Sequence, residues 1–97
     1  MAATAITHEN EGERGRYIAR VDDSEVTGHL DWIARGPGVR VATHTIVPPA
    51  IGGRGIAGEL VKALVADARE HGFRIEPACS YVEAAFRRHP EWKDLRD

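Results

Sequence analysis

The spacing of polar and apolar positions changes once along the chain, between residues 47 and 56. Before that point the period is two. In Arg16-Tyr17-Ile18-Ala19-Arg20-Val21, the residues Tyr17, Ala19 and Val21 fall on one side of an extended chain, which predicts a strand. Asp22-Asp23-Ser24 is a turn cluster. Over Glu25 to Arg35, the residues Val26, Gly28, Leu30, Trp32 and Ala34 share one face. Thr27, His29, Asp31 and Arg35 share the other, with Ile33 among them. Gly36-Pro37-Gly38 turns the chain again, and Val39 to Val47 forms the next strand. Strict alternation there puts His44 with Ala42 and Ile46 and turns Thr45 to the opposite face. The connections are short, so the first half predicts an antiparallel meander. Residues 1–15 read as a loosely ordered lead-in, with a short first strand around Ile6 as the other reading. The domain proper is then residues 16–97.

Pro48-Pro49 ends strand pairing, because neither residue donates a ladder hydrogen bond. After the turn Gly52-Gly53-Arg54-Gly55, the period becomes helical. Ile56, Leu60, Val61, Leu64, Val65 and Ala68 form a stripe at spacings of three and four. Gly72 suits the left-handed position that closes this helix, and Arg69 and His71 face the negative end of its dipole. Phe73-Arg74-Ile75 is a short strand. Ser80-Tyr81-Val82-Glu83 has the form of a capping box, with Ser80 as the cap and Glu83 reaching back. The second helix buries Val82, Ala85 and Phe86 and stops before Pro90, and the tail packs by Trp92 and Leu95. These elements predict one compact α/β domain: mostly antiparallel N-terminal strands followed by helix, strand and helix.

Length sets the frame for this reading. A chain of 97 residues holds one ordinary domain. Hydrophobic residues make up 42% and charged residues 29%, an ordinary composition for a water-soluble domain. The net charge of −2 offers no basic surface for nucleic acid. One cysteine, Cys79, has no intrachain partner and fits a reducing, cytoplasmic setting. The five histidines show no close ligand spacing, so no metal site is expected. Met1 to His8 lacks the pattern of a secretory signal, and no apolar run is long enough to span a membrane. The expected state is a monomer or weak dimer.

Gly53-x-Gly55-x-x-Gly58 matches the dinucleotide fingerprint, but two prolines separate it from the preceding strand and no repeated βαβ unit follows. A phosphate-binding P-loop also fails, because Glu59-Leu60 stands where Lys-Ser/Thr is needed. The underlying chemistry survives both failures. Glycines admit a ligand close to the backbone, and the first N–H groups of a helix are unpaired and partly positive. Three glycines and Arg54 at a helix start therefore point to an anion such as pyrophosphate.

Three blocks in order carry a resemblance: His44-Thr45-Ile46-Val47-Pro48, Gly53-Arg54-Gly55-Ile56-Ala57-x-x-Leu60 and Pro77-x-Cys79-Ser80-Tyr81-Val82. With His89-Pro90-Glu91-Trp92 near the end, they resemble the YjdJ-like branch of the GNAT superfamily of N-acetyltransferases over about residues 16–93. The resemblance implies acetyl-CoA as cosubstrate, held in a cleft between the strands at Val39–Val47 and Phe73–Ala78. Backbone at Ile46 and Val47 would bond the pantetheine arm. Gly52, Gly53, Arg54, Gly55, Ile56, Ala57, Gly58 and Ser80 are the other positions it assigns to the cofactor, with amides from Gly53 to Gly58 on the pyrophosphate. Gly52 stands where the family pattern has Gln or Arg, and Arg54 would compensate in part.

Cys79, His44 and Tyr81 are the candidate catalytic residues. Cys79 precedes a helix N-terminus, where a thiolate is favoured, so it reads as a nucleophile or as a small residue packed beneath the cleft. Direct transfer, with Cys79 lining the acetyl pocket, is the preferred mechanism. His44 reads as a general base or as a strand histidine bonded to a neighbour. Tyr81 reads as the acid that protonates the leaving thiolate or as a wall of the CoA arm. Trp32 and Trp92 read as core or lid residues, since no basic patch accompanies them. The expected activity is acetyl transfer to an amine of a small molecule or peptide, with no nucleic-acid or membrane partner. The alternative is a non-catalytic acyl-CoA-binding or sensing module.

Overall fold

The computed structural model of the chain describes residues 4–97. Five strands form one sheet in sequence order: β1 (Thr4–Asn10), β2 (Arg14–Val21), β3 (Thr27–Ala34), β4 (Val39–Ile46) and β5 (Arg74–Pro77). Neighbours are antiparallel as far as β4, and β4 and β5 are parallel. A hairpin cannot join parallel neighbours. The crossover here is a 3-10 turn, Pro49–Ile51, and a long helix, α1 (Ile56–His71). A second helix, α2 (Ser80–Arg88), follows β5, and a 3-10 segment, Pro90–Leu95, leads to the end of the chain. The expected α/β arrangement is therefore the one formed.

The apolar stripe of α1 is the reason this helix packs. Ile56, Leu60, Val61, Leu64, Val65 and Ala68 are all buried, and they join Tyr17, Leu30, Trp32, Ala42 and Ile75 of the sheet in one cluster. Val82, Ala85 and Phe86 of α2 complete the same cluster, with Trp92 and Leu95 from the tail. Gly72 ends α1 in the left-handed conformation (φ 77°), and its N–H bonds the Ala68 carbonyl at 2.9 Å. The helices thus cover one face of the sheet. The other face carries Arg16, His29, Asp31, His44 and the half-exposed Ile33 and Ile46.

Three local expectations change. Residues 1–3 of the lead-in lie outside the described residues, but Thr4–Asn10 is an ordered strand, paired with β2 from Thr4↔Val21 to Asn10↔Gly15. As an edge strand it turns only Ile6 and His8 inward, too few positions to show a period in the sequence. The capping box at the start of α2 does not form. Cys79, not Ser80, is the cap residue. Glu83 instead pairs with Arg96 at 2.8 Å. Arg96 is brought there because the chain end docks on β5, through the Ile75↔Arg96 bridge and the Asp97 N–H to the Ile75 carbonyl (2.8 Å). A full charge then outcompetes a backbone N–H for the carboxylate.

The third change is a β-bulge in β4. Leu30 faces Thr45 and Asp31 faces His44, but Trp32 faces Ala42. One extra residue, Thr43, is accommodated on β4, and the period-two count breaks there. Cross-strand partners share a face. Ala42 and Thr45 therefore both point to the helix side, with Trp32 and Leu30. His44 lies on the outer face with Asp31, not with Ala42 as strict alternation required.

Candidate active site between the splayed strands

β4 and β5 run together only from Val39↔Arg74 to Ala42↔Pro77. Beyond that point they part. The Ala42 carbonyl accepts from both the Ala78 N–H (3.1 Å) and the Cys79 N–H (2.9 Å), which turns the chain away from β4 and into α2. No strand among the described residues takes the place of β5 beside Thr43 to Ile46. The result is a wedge, bounded by the second half of β4, the start of α1 and the start of α2.

Cys79 sits at the apex. Its Sγ lies 3.4 Å from Thr45 Oγ1, a contact that exists because the bulge turns Thr45 inward. Burial pushes the Cys79 thiol up, but hydrogen bonding with the Thr45 hydroxyl and with the backbone of Val82, Tyr81 and Thr45 outweighs it, so the thiol lies below its usual range. Alternation through residues 39–47 concealed Thr45, since a bulge has no signal in that count. Tyr81, in the first turn of α2, reaches toward the start of α1. A Cβ placed on Gly58 of α1 would stand 3.9 Å from the Tyr81 hydroxyl, and the Arg88 guanidinium lies 5.8 Å from the Tyr81 ring.

The start of α1 faces the same space. Gly53 and Gly55 have positive φ (75° and 73°), a conformation that costs other L-residues about 1–2 kcal/mol. Gly55 is the cap residue and offers no side chain to the first turn. The N–H groups that open α1 therefore remain available to an outside acceptor. Gly52 has ordinary extended geometry (φ −68°, ψ 163°). The Ile56 side chain is buried in the core, so only its backbone can meet a ligand. Ala57 and Gly58 are half-buried, Ile46 is exposed, Val47 is half-buried, and Ser80 is exposed. Arg54 does not point at the helix start: it pairs with Asp23 at 2.8 Å.

The structure thus brings Cys79, Tyr81, Thr45 and the first turn of α1 together, and sets His44 apart on the outer face. There the Asp31 carboxylate is held by Arg16 at 2.6 Å and lies 3.9 Å from His29. For metals, Asp67, Glu70 and His71 on the last turns of α1 bring ligand atoms within 4.8 Å of one another. Asp67 is already bonded to the Tyr17 hydroxyl at 2.6 Å, and the group is remote in the fold from the wedge. No described helix is long and apolar enough to cross a membrane.

A parallel β4–β5 pair that splays beside a glycine-led helix is the arrangement of an acyltransferase fold, and comparison with family models agrees. The model of the GCN5-related N-acetyltransferases matches residues 16–95. The chain belongs to that family. No curated protein matches the chain significantly.

Proposed function

We propose that the protein is an acetyl-CoA-dependent N-acetyltransferase of the YjdJ-like branch, acting on an amine of a small molecule or peptide. The observation that carries this reading is the unpaired inner edge of β4 beyond Ala42, set beside an uncapped helix start. Ile46 ends strand β4, and the backbone at Ile46 and Val47 is where a pantetheine arm would pair, as a strand would. The amides from Gly53 to Gly58 suit the pyrophosphate. Because Arg54 is engaged by Asp23, the pyrophosphate seat in this reading is made by backbone rather than by a cationic side chain.

In the reaction, the amine nitrogen attacks the thioester carbonyl, the C–S bond breaks, and the CoA sulfur receives a proton as the nitrogen loses one. Tyr81 is the proton donor to the departing sulfur, since it reaches toward the start of α1. Cys79 and Thr45 line the acetyl pocket. His44 is the base for an acceptor that reaches the thioester across the outer face. The test is incubation with acetyl-CoA and a panel of amines while released CoA thiol is followed. Amine-dependent release is expected. Saturable acetyl-CoA binding without release would overturn the enzyme and leave a binding module, and no binding would overturn both.

A further inference from the structure

On the helix-covered face of the sheet, five side chains are linked by three hydrogen bonds and one ion-pair contact that the proposed reaction does not use. The Trp32 Nε1–H donates to His8 Nε2 at 3.0 Å. Nε2 is therefore without a proton, and neutral His8 carries its hydrogen on Nδ1. Nδ1 lies 3.5 Å from Asp67 Oδ2. The Tyr17 hydroxyl donates to the same oxygen at 2.6 Å, and Arg40 donates to the Tyr17 oxygen at 3.2 Å. His8 and Asp67 are thus the acceptors on which the chain of donors ends.

Trp32 is held more firmly than His8. It is 1% exposed. The Arg40 guanidinium stacks 4.0 Å from its ring and 4.0 Å from that of Phe73. On β2, Gly15 admits the indole so closely that an added Cβ would meet it at 2.5 Å. His8 is different. It belongs to β1, the edge strand, which is bonded to the sheet on one side only. Its ring lies flat on Tyr17 at 4.0 Å.

We propose that His8 is a proton-sensitive latch that seats β1 against Trp32 and α1, and that acid releases the strand. A second proton goes to Nε2, and an N–H then opposes the indole N–H. Since the indole is held more firmly, His8 leaves, and β1 leaves with it. The groups facing His8 are Asp67 and His71 from α1, Tyr17 from β2, Trp32 from β3 and Arg40 from β4. Burial holds its protonation below the ordinary histidine range; Asp67 resists this, while Arg40 and His71 reinforce it. The folded state thus binds fewer protons than the unfolded chain. The latch is fully closed above the unfolded value, about 6.5, and is lost as pH falls through the folded one. An opened latch bares the backbone edge of β2 to another strand.

The test is nitrogen-detected NMR of the labelled protein between about pH 8 and about pH 5, spanning the histidine range. The expected result is the Nδ1–H tautomer of His8 at the upper end. A single acid-side midpoint should be shared by the His8 ring, the Trp32 indole N–H and amide exchange across Thr4–Asn10. Exchange in β1, corrected for intrinsic rates, should rise about tenfold or more on acidification. His8→Phe keeps the stack on Tyr17 without an acceptor, and His8→Gln keeps an acceptor without a titration. In both, the pH dependence of β1 exchange should disappear. An Nε2–H tautomer in the wild-type protein would sink the proposal, and so would β1 exchange that follows pH equally in a folded variant.

Discussion

Cys79 and Thr45 are 34 positions apart and meet only because one extra residue in β4 turns the threonine inward. The contact matters for reactivity, since the thiolate rather than the thiol is the nucleophile and the better acceptor. Thr45→Val keeps the shape of the side chain and removes the hydroxyl. Burial, which pushes the thiol up, would remain, and the hydroxyl bond that most opposes it would be gone. The pH midpoint of Cys79 alkylation should therefore move up, and the rate at neutral pH should fall. An unmoved midpoint would mean that the backbone at α2 sets the thiol by itself. Cys79 was legible in the sequence through the motif around it. Thr45 was not, because facing in a strand is a property of register, and register depends on the neighbouring strand.

Helix α1 supplies the core stripe and, in the proposed reading, the anion seat. Gly58 separates these roles. It lies in the first turn, and an alanine there would meet nothing closer than the Tyr81 hydroxyl at 3.9 Å. A helical Gly→Ala exchange favours folding by up to about 1 kcal/mol. Gly58→Ala should accordingly raise the melting temperature of the free protein while weakening CoA affinity, by the closer approach that a Cβ forbids. Thermal melts and calorimetry of the same variant check both signs. Affinity unchanged in the stabilised variant would mean that the pyrophosphate does not lie on this turn. The stripe from Ile56 to Ala68 and the Gly72 stop were readable because propensity, periodicity and capping act over a few residues. The cap of α2 escapes local rules for the converse reason. The partner that takes Glu83 is Arg96, which no local rule connects to it.

At the scale of the whole molecule, the layout is a sheet with both helices on one face and a wedge where β5 leaves β4. A ligand seated in the wedge touches β4, α1 and α2 together, and these elements meet only in the folded chain. Acetyl-CoA should therefore stabilise the fold by mass action, by about 2.7 kcal/mol at a hundredfold excess over Kd. In a domain of this size that is about 10–20 °C in melting temperature. NAD and ATP should give much smaller shifts, since neither carries the pantetheine arm that the free edge of β4 would pair with. A shift with NAD and none with acetyl-CoA would defeat the cofactor assignment.

The sequence by itself determined the order and kind of the elements after residue 16, the buried face of each helix and the glycine-led helix start. Each of these follows from interactions spanning a few positions. Tertiary structure decided the facing of Thr45 and His44, the pairing of β1, the engagement of Arg54 by Asp23 and of Glu83 by Arg96, and the splay that opens the wedge. Apart from β1, which pairs with the next strand through a short hairpin, the deciding atom in each case is distant in sequence. A charge or a neighbouring strand supplied by folding outweighs the local preference, because a full ion pair or a ladder of backbone bonds is stronger than a single capping bond or an alternation pattern.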